Sequence, residues 1–418
     1  MGWREVVATL LSGRMWVALL MGFACGVPLL LTGSVLQAWL TDEGVDLALI
    51  GLYALVGLPY TLKFLWAPLL DRYTLPLLGR RRGWLLLFQL LLVVAVAALG
   101  QSEPAAHPLW VAVAAFLVTL FSASQDIVVD AYRRERLSDE ELGLGASLYV
   151  NGYRIGMLLA GSGGLILADQ MPFSQVYLLM AAALLVGVVT TLLAAEPTAA
   201  TGQPTTLKQA VIAPLLEYFQ RPQALLLLAF ILFYKVGDTM AAAITTPFYL
   251  ELGFSRTEIG SVVKLFGFWA TIGGGVLGGL LLLRIGIDRG LWLFGGLQAL
   301  STAGFALLAW YGVADPALLA LVVAFENLSG GMGTAAYVAL MGRLTDRRFT
   351  ATQYALLTSL MGIPRVILAA PTGWLAEQLG WIGFFSFCTA VALPGLLLLA
   401  RFAPWPGWRL LMAARASS

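Results

Sequence analysis

Nine ionisable side chains lie inside stretches of this chain that are otherwise apolar enough to cross a membrane. A charge near the centre of a membrane-spanning helix costs about 2.5 to 3.5 kcal/mol on insertion scales, so such residues commonly mark the path of a polar solute. Carboxyl groups in this setting can take up protons, and ammonium or guanidinium groups can bind anions. The nine residues are Lys63, Asp126, Asp130, Arg154, Lys235, Asp238, Lys264, Glu326 and Arg365.

The predicted fourth helix carries a polar stripe in the sequence FSASQDIVVDAY. Ser122, Asp126 and Asp130 recur every four residues, which places them on one helix face. A polar face of this kind is expected to avoid lipid. Asp126 is therefore a predicted proton site. Asp130 lies nearer the cytoplasmic end, where it can be a proton site or a partner for Arg133 or Arg134.

Two further helices place acids beside other polar residues. In FYKVGDTM, Lys235 and Asp238 are three residues apart. This spacing suits an intrahelical ion pair, or a pair in which protonation of Asp238 frees Lys235 for an anionic solute. In AFENLSGGMGTAAY, Glu326 and Asn327 precede glycines that permit close helix packing or a local helix break. Asp238 and Glu326 are thus predicted proton sites.

Two arginines occupy corresponding places in the predicted fifth and eleventh helices, Arg154 in GYR and Arg365 in GIPR. Arginine does not lose its proton in proteins, so each must pair with an acid or bind an anion. Anion binding is the prediction, with structural ion pairs as the alternative. Lys63 and Lys264 lie nearer helix ends, where their side chains can extend to the membrane surface.

Long apolar helices must position these side chains. The chain has 418 residues, of which 60% are hydrophobic and 11% charged, and its mean hydropathy is +0.85. These values indicate an integral membrane protein. Continuous apolar runs of about 20 residues match the length of a membrane-spanning helix and disfavour a β-barrel. They predict twelve transmembrane helices, at 16–40, 49–70, 84–100, 109–132, 145–168, 175–195, 223–249, 258–283, 291–312, 317–342, 352–376 and 382–402.

The basic residues are unevenly distributed among the connections. If both termini are cytoplasmic, the opposite connections contain Arg256 alone, as the positive-inside rule predicts. The cations are spread along a membrane face, so no nucleic-acid surface is expected. Cys25 and Cys388 lie in apolar runs and predict neither a disulfide nor a metal site. No enzyme or nucleotide-binding signature is present, so no cofactor is expected.

The chain looks like two copies of one six-helix unit. GVDLALIG, which begins at Gly44, matches GFSRTEIG, which begins at Gly253. RLSDEE after the fourth helix matches RLTDRR after the tenth. The sequence therefore predicts an all-α integral membrane fold of two pseudo-symmetric six-helix bundles. The predicted divisions are an N-terminal bundle at 1–195, a cytoplasmic linker with a short amphipathic helix at 196–222, a C-terminal bundle at 223–402 and a cytoplasmic tail at 403–418.

The segment PLLDRYTLPLLGRRRG follows the predicted second helix. It resembles the loop signature of major facilitator transporters, in which an acid and several arginines bridge helix ends and stabilise one conformation. The resemblance implies gating roles for Asp71, Arg72, Arg80, Arg81 and Arg82. For the three consecutive arginines, retention of positive charge on the cytoplasmic side is the alternative.

Further motifs together resemble the anhydromuropeptide permease family. They are GFACGVPLLLTGSVLQAWL, KFLWAPLLDRY, GRRRGWLL, SASQDIVVDA, GYRIGML, YKVGD and FENLSGGMGT. The resemblance implies a major facilitator fold in the bacterial inner membrane. It also implies proton-driven import of N-acetylglucosaminyl-1,6-anhydro-N-acetylmuramyl peptides for peptidoglycan recycling.

A muropeptide substrate would be large, sugar-bearing and rich in carboxylates. The predicted partners of peptide carboxylates are Arg154, Lys235 and Arg365. Side-chain amides and aromatic rings are predicted to contact the sugars. The amides are Gln37, Gln125, Asn151 and Asn327, and the rings are Trp39 and Tyr153. A monomer is expected. The alternatives are a carrier of another organic anion, of the acyl-coenzyme A or siderophore type, and a sensor with a transporter fold.

Overall fold

The computed structural model of the protein describes residues 3–45, 53–76, 78–198, 206–221, 223–255, 258–367 and 371–403. All regular elements within these residues are helical. Eight helical stretches are long and apolar enough to cross a membrane, which confirms the predicted all-α membrane fold. They are Gly13–Asp42, Arg80–Gly100, Pro108–Arg136, Phe173–Leu193, Ala224–Glu251, Ile259–Tyr311, Pro316–Leu344 and Thr372–Arg401.

Glycine breaks and short helical pieces account for the difference between eight stretches and twelve predicted crossings. Gly286 has a φ of 77° and Gly380 a φ of 65°, and each interrupts a long stretch. Glycine adopts this left-handed region without steric cost, so the chain turns there. Among the described residues the crossings are 13–42, 53–72, 80–100, 108–136, 142–168, 173–193, 224–251, 259–285, 287–311, 316–344, a segment that begins with Thr350–Ile367, and 381–402.

The chain divides into two compact units. The first unit contains Trp3–Leu216 together with Gly342–Ser359, and the second unit includes Glu217–Met341. A short stretch from the second half of the sequence therefore packs with the first half. The predicted domain boundaries at 195 and 223 stay a prediction.

Small residues bring helices into close contact inside the first unit. A Cβ atom added to Gly26 would lie 2.0 Å from the carbonyl oxygen of Tyr153, and one added to Gly152 would lie 2.0 Å from the carbonyl oxygen of Leu19. The two backbones therefore meet without intervening side chains, which is the use of small residues in membrane helix packing. This contact fixes the helix that carries Asn151, Tyr153 and Arg154 against the first crossing.

We expect Gly26→Ala to destabilise the first unit by about 1–3 kcal/mol, because the new methyl group overlaps backbone that has no room to retreat. Thermal unfolding in detergent measures the effect. Gly13→Ala is the matched control, since no atom lies within 4 Å of the added Cβ. Equal melting temperatures for the two variants would contradict the close packing.

Candidate functional site

The second unit contains a half-buried ion pair at a break in a membrane helix. Helix Ala224–Phe233 ends and helix Val236–Ala243 begins on either side of Lys235, whose ammonium nitrogen lies 3.0 Å from Asp238 Oδ2. Gln298 Nε2 donates a second hydrogen bond to the same oxygen, at 3.3 Å. The predicted ion pair is thus present, although Lys235 precedes the helix that carries Asp238. The side chains of Lys235 and Asp238 are only 18% and 23% exposed, so the pair is largely shielded from solvent.

A second carboxyl group adjoins this pair. The Glu326 carboxyl lies within hydrogen-bonding reach of the Asp238 carboxyl. Ser301 Oγ donates to Glu326 Oε2 at 2.7 Å, and Ser329 Oγ lies 2.9 Å from Ser301 Oγ. Two carboxyl groups can form a hydrogen bond only when one of them carries a proton. The arrangement can therefore hold a proton between Asp238 and Glu326, with Lys235 as the neighbouring cation.

Asn327, which follows Glu326, joins two helices. Its Oδ1 accepts a hydrogen bond from Thr271 Oγ1 at 2.6 Å, and its Nδ2 donates to the Val323 carbonyl at 2.9 Å. Gly267 also approaches it closely, since an added Cβ would lie 3.0 Å from Nδ2. These contacts favour a packing role over the predicted contact with a sugar.

Asp126 lies in the interior of the first unit. It is 6% exposed, and its Oδ1 has no hydrogen-bond partner among the described residues. Lys63 is also buried and is close enough to interact electrostatically with both Asp126 and Asp130. The expectation that Lys63 extends to the membrane surface is wrong, because a 3-10 turn, Lys63–Leu65, interrupts the helix and Lys63 is enclosed. Lys264 is exposed, as expected of a side chain that extends to the surface.

Asp130 forms the ion pair that its position near the helix end suggested. Its Oδ1 lies 3.0 Å from Arg133 Nη2, which also donates to the Tyr354 hydroxyl. The Arg133 guanidinium lies 4.7 Å from the centre of the Tyr149 ring, a cation–π distance. The structure therefore favours a structural pairing for Asp130 and leaves Asp126 as the less satisfied acid.

The predicted amide and aromatic contacts are spread through the first unit. Gln125 is buried, and its Nε2 lies 3.2 Å from Cys25 Sγ. Asn151 is buried, and Tyr153 and Arg154, two and three residues further along the same helix, are half-buried. The side chain of Arg365 lies outside the described residues.

Trp39 and Gln37 differ in their surroundings although they are two residues apart. Trp39 is 5% exposed and stacks on Phe173, with 5.6 Å between the ring centres. This packing in the core accounts for its burial and does not favour the predicted stacking on a sugar. Gln37 is exposed and lines a cavity of about 170 Å³.

The predicted gating segment surrounds the start of helix Thr350–Ile367. Asp71 accepts hydrogen bonds from the backbone amides of Ala351, at 3.1 Å, and Thr352, at 2.8 Å. It also accepts one from the Thr352 hydroxyl, at 2.8 Å. Asp71 thus caps the helix with a negative charge at its positive end.

Arg81 holds this cap in place. It is completely buried and lies 2.8 Å from Asp71 Oδ1 and 2.6 Å from Glu135 Oε1. Arg80 binds the same Glu135 carboxylate, at 2.7 Å. Glu135 is a site residue that the sequence reasoning missed. A signal was present, because it is the one acid in the basic stretch Arg133–Arg136.

The other two arginines of this segment have different contacts. Arg82 donates to the carbonyl oxygens of Thr191, at 2.9 Å, and Leu192, at 2.8 Å, and so caps the end of helix Phe173–Leu193. Arg72 stacks on the neighbouring Tyr73 ring at 5.3 Å. Of the arginines in this segment, Arg80 and Arg81 form buried ion pairs. Retention of positive charge on the cytoplasmic side does not require such pairs.

Comparison with known proteins defines the class. Residues 15–349 match the model of the Major Facilitator Superfamily, so the chain belongs to this superfamily of multi-pass membrane transporters. The solved structures that share the fold include two sugar symporters. The proton:xylose symporter XylE has a TM-score of 0.70 at 12% identity, covering 94% of this chain and 95% of XylE. The Escherichia coli fucose:proton symporter FucP has a TM-score of 0.73 at 13% identity, covering 94% and 99%.

Sequence relatives define the family within that class. The anhydromuropeptide permease of Escherichia coli K12 is 48% identical over 390 residues, which are 92% of this chain and 79% of the relative. An uncharacterized protein of Haemophilus influenzae is 43% identical, covering 94% and 95%. The chain belongs to the anhydromuropeptide permease family, as its motifs predicted.

Proposed function

We propose that this protein imports N-acetylglucosaminyl-1,6-anhydro-N-acetylmuramyl peptides from periplasm to cytoplasm, with protons, by alternating access. The observation that carries the proposal is the 48% identity to an anhydromuropeptide permease across 92% of the chain. The protein acts as a monomer in the bacterial inner membrane, with both termini cytoplasmic. The imported muropeptides enter peptidoglycan recycling in the cytoplasm.

The ion pair in the second unit supplies a coupling mechanism. Lys235 is held by Asp238 through an ion pair. A proton on Asp238 removes the negative charge and releases the ammonium group to bind a carboxylate of the peptide. Glu326, within reach of Asp238, accepts or returns that proton, while Ser301 holds its carboxyl in place. Substrate and proton are thus bound together because each stabilises the site for the other.

The first unit supplies a further acid and further contacts. Asp126, beside Lys63, repeats the combination of carboxyl and ammonium groups and is a second proton site. Asp130 remains a weaker candidate, because Arg133 already neutralises it. Arg154 and Arg365 are proposed partners of peptide carboxylates, and Gln125, Asn151 and Tyr153 are proposed contacts for neutral parts of the substrate.

The Asp71 cap is proposed to stabilise one conformation of the transport cycle, with Arg80 and Arg81 supporting it. We expect Asp71→Asn to change the uptake rate by about tenfold, because the variant loses a charge that binds both Arg81 and a helix terminus. Initial uptake rates in proteoliposomes measure the change. Asp139→Asn is the control, since its side chain is 61% exposed and makes no contact with the Asp71 cap among the described residues. A wild-type rate for Asp71→Asn would contradict the gating role.

A ligand-binding series separates the proposed substrate from the alternatives. We expect an anhydromuropeptide to raise the melting temperature of the purified protein, and an acyl-coenzyme A or a ferric siderophore to leave it unchanged. Stabilisation by either of these in place of the muropeptide would overturn the proposed substrate. Protein that binds muropeptide without moving it across a liposome membrane would be a sensor.

A further inference from the structure

A small cavity in the first unit is lined by residues other than the charged groups described above. Its volume is about 170 Å³, and Thr32, Gly33 and Gln37 line it from the first crossing. Tyr53 and Tyr60 line it from the second crossing. Whole-ligand pockets commonly measure about 300–1,000 Å³, so this cavity has room for one part of a larger substrate.

The cavity suits an uncharged group that bears hydroxyl and amide functions. The lining residues that the structure describes carry no ionic charge, so an ion there would lack a counter-charge. Gln37 offers an amide donor and a carbonyl acceptor at the rim. Tyr53 and Tyr60 offer aromatic surface together with phenolic oxygens, a combination that contacts both the faces and the hydroxyl groups of a sugar ring.

The lining is preorganised by hydrogen bonds to the surrounding helices. Tyr60 donates its hydroxyl to Ser122 Oγ at 2.9 Å, and Tyr53 donates to the Pro108 carbonyl. The first crossing is also irregular here, since Gly33 has a φ of −102° and a ψ of −111°. Transmembrane helices that are interrupted within the membrane commonly adjoin solute sites in transporters.

We propose that this cavity binds the N-acetylglucosamine ring of the muropeptide, the neutral end of the substrate. The inference rests on the proposed function and deepens it, because it names the part of the substrate that this cavity holds. The neutral sugar lies between the first and second crossings, and the charged peptide lies outside the uncharged cavity. Tyr60 also interacts electrostatically with Asp126. A sugar in the cavity would therefore lie beside a proposed proton site.

Gly57 allows the cavity to be filled without disturbing the fold. It has a φ of −77° and a ψ of −6°, values that alanine also adopts, and no atom lies within 4 Å of an added Cβ. Gly57 lines the cavity, so the methyl group of Gly57→Ala takes up space that a sugar ring would need. Gln37→Ala removes the amide instead. Gly296→Ala is the matched control, because its Cβ also meets no atom within 4 Å and Gly296 is exposed in the second unit.

The test compares the affinities of the purified full chain for two probes, an intact anhydromuropeptide and the same disaccharide without its peptide. We expect Gly57→Ala and Gln37→Ala each to lower the affinity for both probes by the same factor, about tenfold. A loss of this size corresponds to one hydrogen bond or one close packing contact. Lys235→Gln should lower the affinity for the muropeptide by about tenfold and leave the affinity for the disaccharide unchanged. Gly296→Ala should bind both probes as the wild type does.

One result would overturn the inference, namely disaccharide affinity that stays at the wild-type value in both cavity variants, whether or not they bind the intact muropeptide more weakly. In that case binding of the muropeptide by the wild-type protein would leave the proposed function standing. Failure of the wild type to bind either probe would overturn the proposed function and this inference together.

Discussion

Glu326→Gln abolishes proton-driven accumulation of muropeptide. The amide keeps the size of the side chain and can still bond to Ser301, but it cannot carry a proton to or from Asp238. An inward gradient of two pH units can support an accumulation of about a hundredfold for each coupled proton. We expect the wild type to approach this ratio in proteoliposomes and Glu326→Gln to reach a ratio of about one.

Exchange separates loss of coupling from loss of folding. Glu326→Gln should still exchange labelled for unlabelled muropeptide across the liposome membrane when no pH gradient is present, because exchange needs no net proton movement. Glu103→Gln is the control for the substitution, as Glu103 is exposed in a connection. Accumulation by Glu326→Gln at the wild-type ratio would show that the proton is carried elsewhere, with Asp126 as the next candidate.

Arg81→Met lowers the free energy of unfolding by about 3–5 kcal/mol. Arg81 is completely buried between the carboxylates of Asp71 and Glu135. Methionine fills much of the same volume but removes the ion pair of Asp71, while Glu135 keeps Arg80, and an uncompensated buried charge is strongly destabilising. Thermal unfolding in detergent, followed by tryptophan fluorescence, measures the loss.

A surface arginine provides the comparison for Arg81. Arg348 pairs with Asp346 and its side chain is 43% exposed. Exposed pairs contribute about 0.2–1 kcal/mol, so Arg348→Met should change stability little. Adding Asp71→Asn to Arg81→Met should recover part of the lost stability, because the carboxylate that lost its ion pair with Arg81 no longer carries a charge. Equal losses for Arg81→Met and Arg348→Met would contradict a structural role for the buried arginine.

The sequence carries the information for the fold and for the acids at helix centres. Apolar runs gave the crossings to within a few residues, because hydropathy and length alone decide whether a helix spans a membrane. Spacing placed Ser122, Asp126 and Asp130 on one helix, and Lys235 beside Asp238. These features depend only on neighbours along one helix.

Contacts between distant helices could not be predicted in the same way. The reach of Glu326 to Asp238 and the bond from Asp71 to the amide of Thr352 depend on tertiary packing. Burial of Lys63 depends on a local 3-10 turn, which the hydropathy of the sequence does not predict. Trp39 was predicted to contact a sugar but stacks on Phe173 in the core, because the sequence does not say which face of a membrane helix packs in the core.

Concentrative uptake in proteoliposomes tests whether this protein couples the import of muropeptide to protons. Wild-type protein in proteoliposomes should accumulate a labelled anhydromuropeptide under an inward proton gradient, with the membrane potential held at zero. A protonophore should release the accumulated label down to the external concentration. Uptake that only equilibrates, or accumulation that the protonophore leaves unchanged, would contradict coupled import.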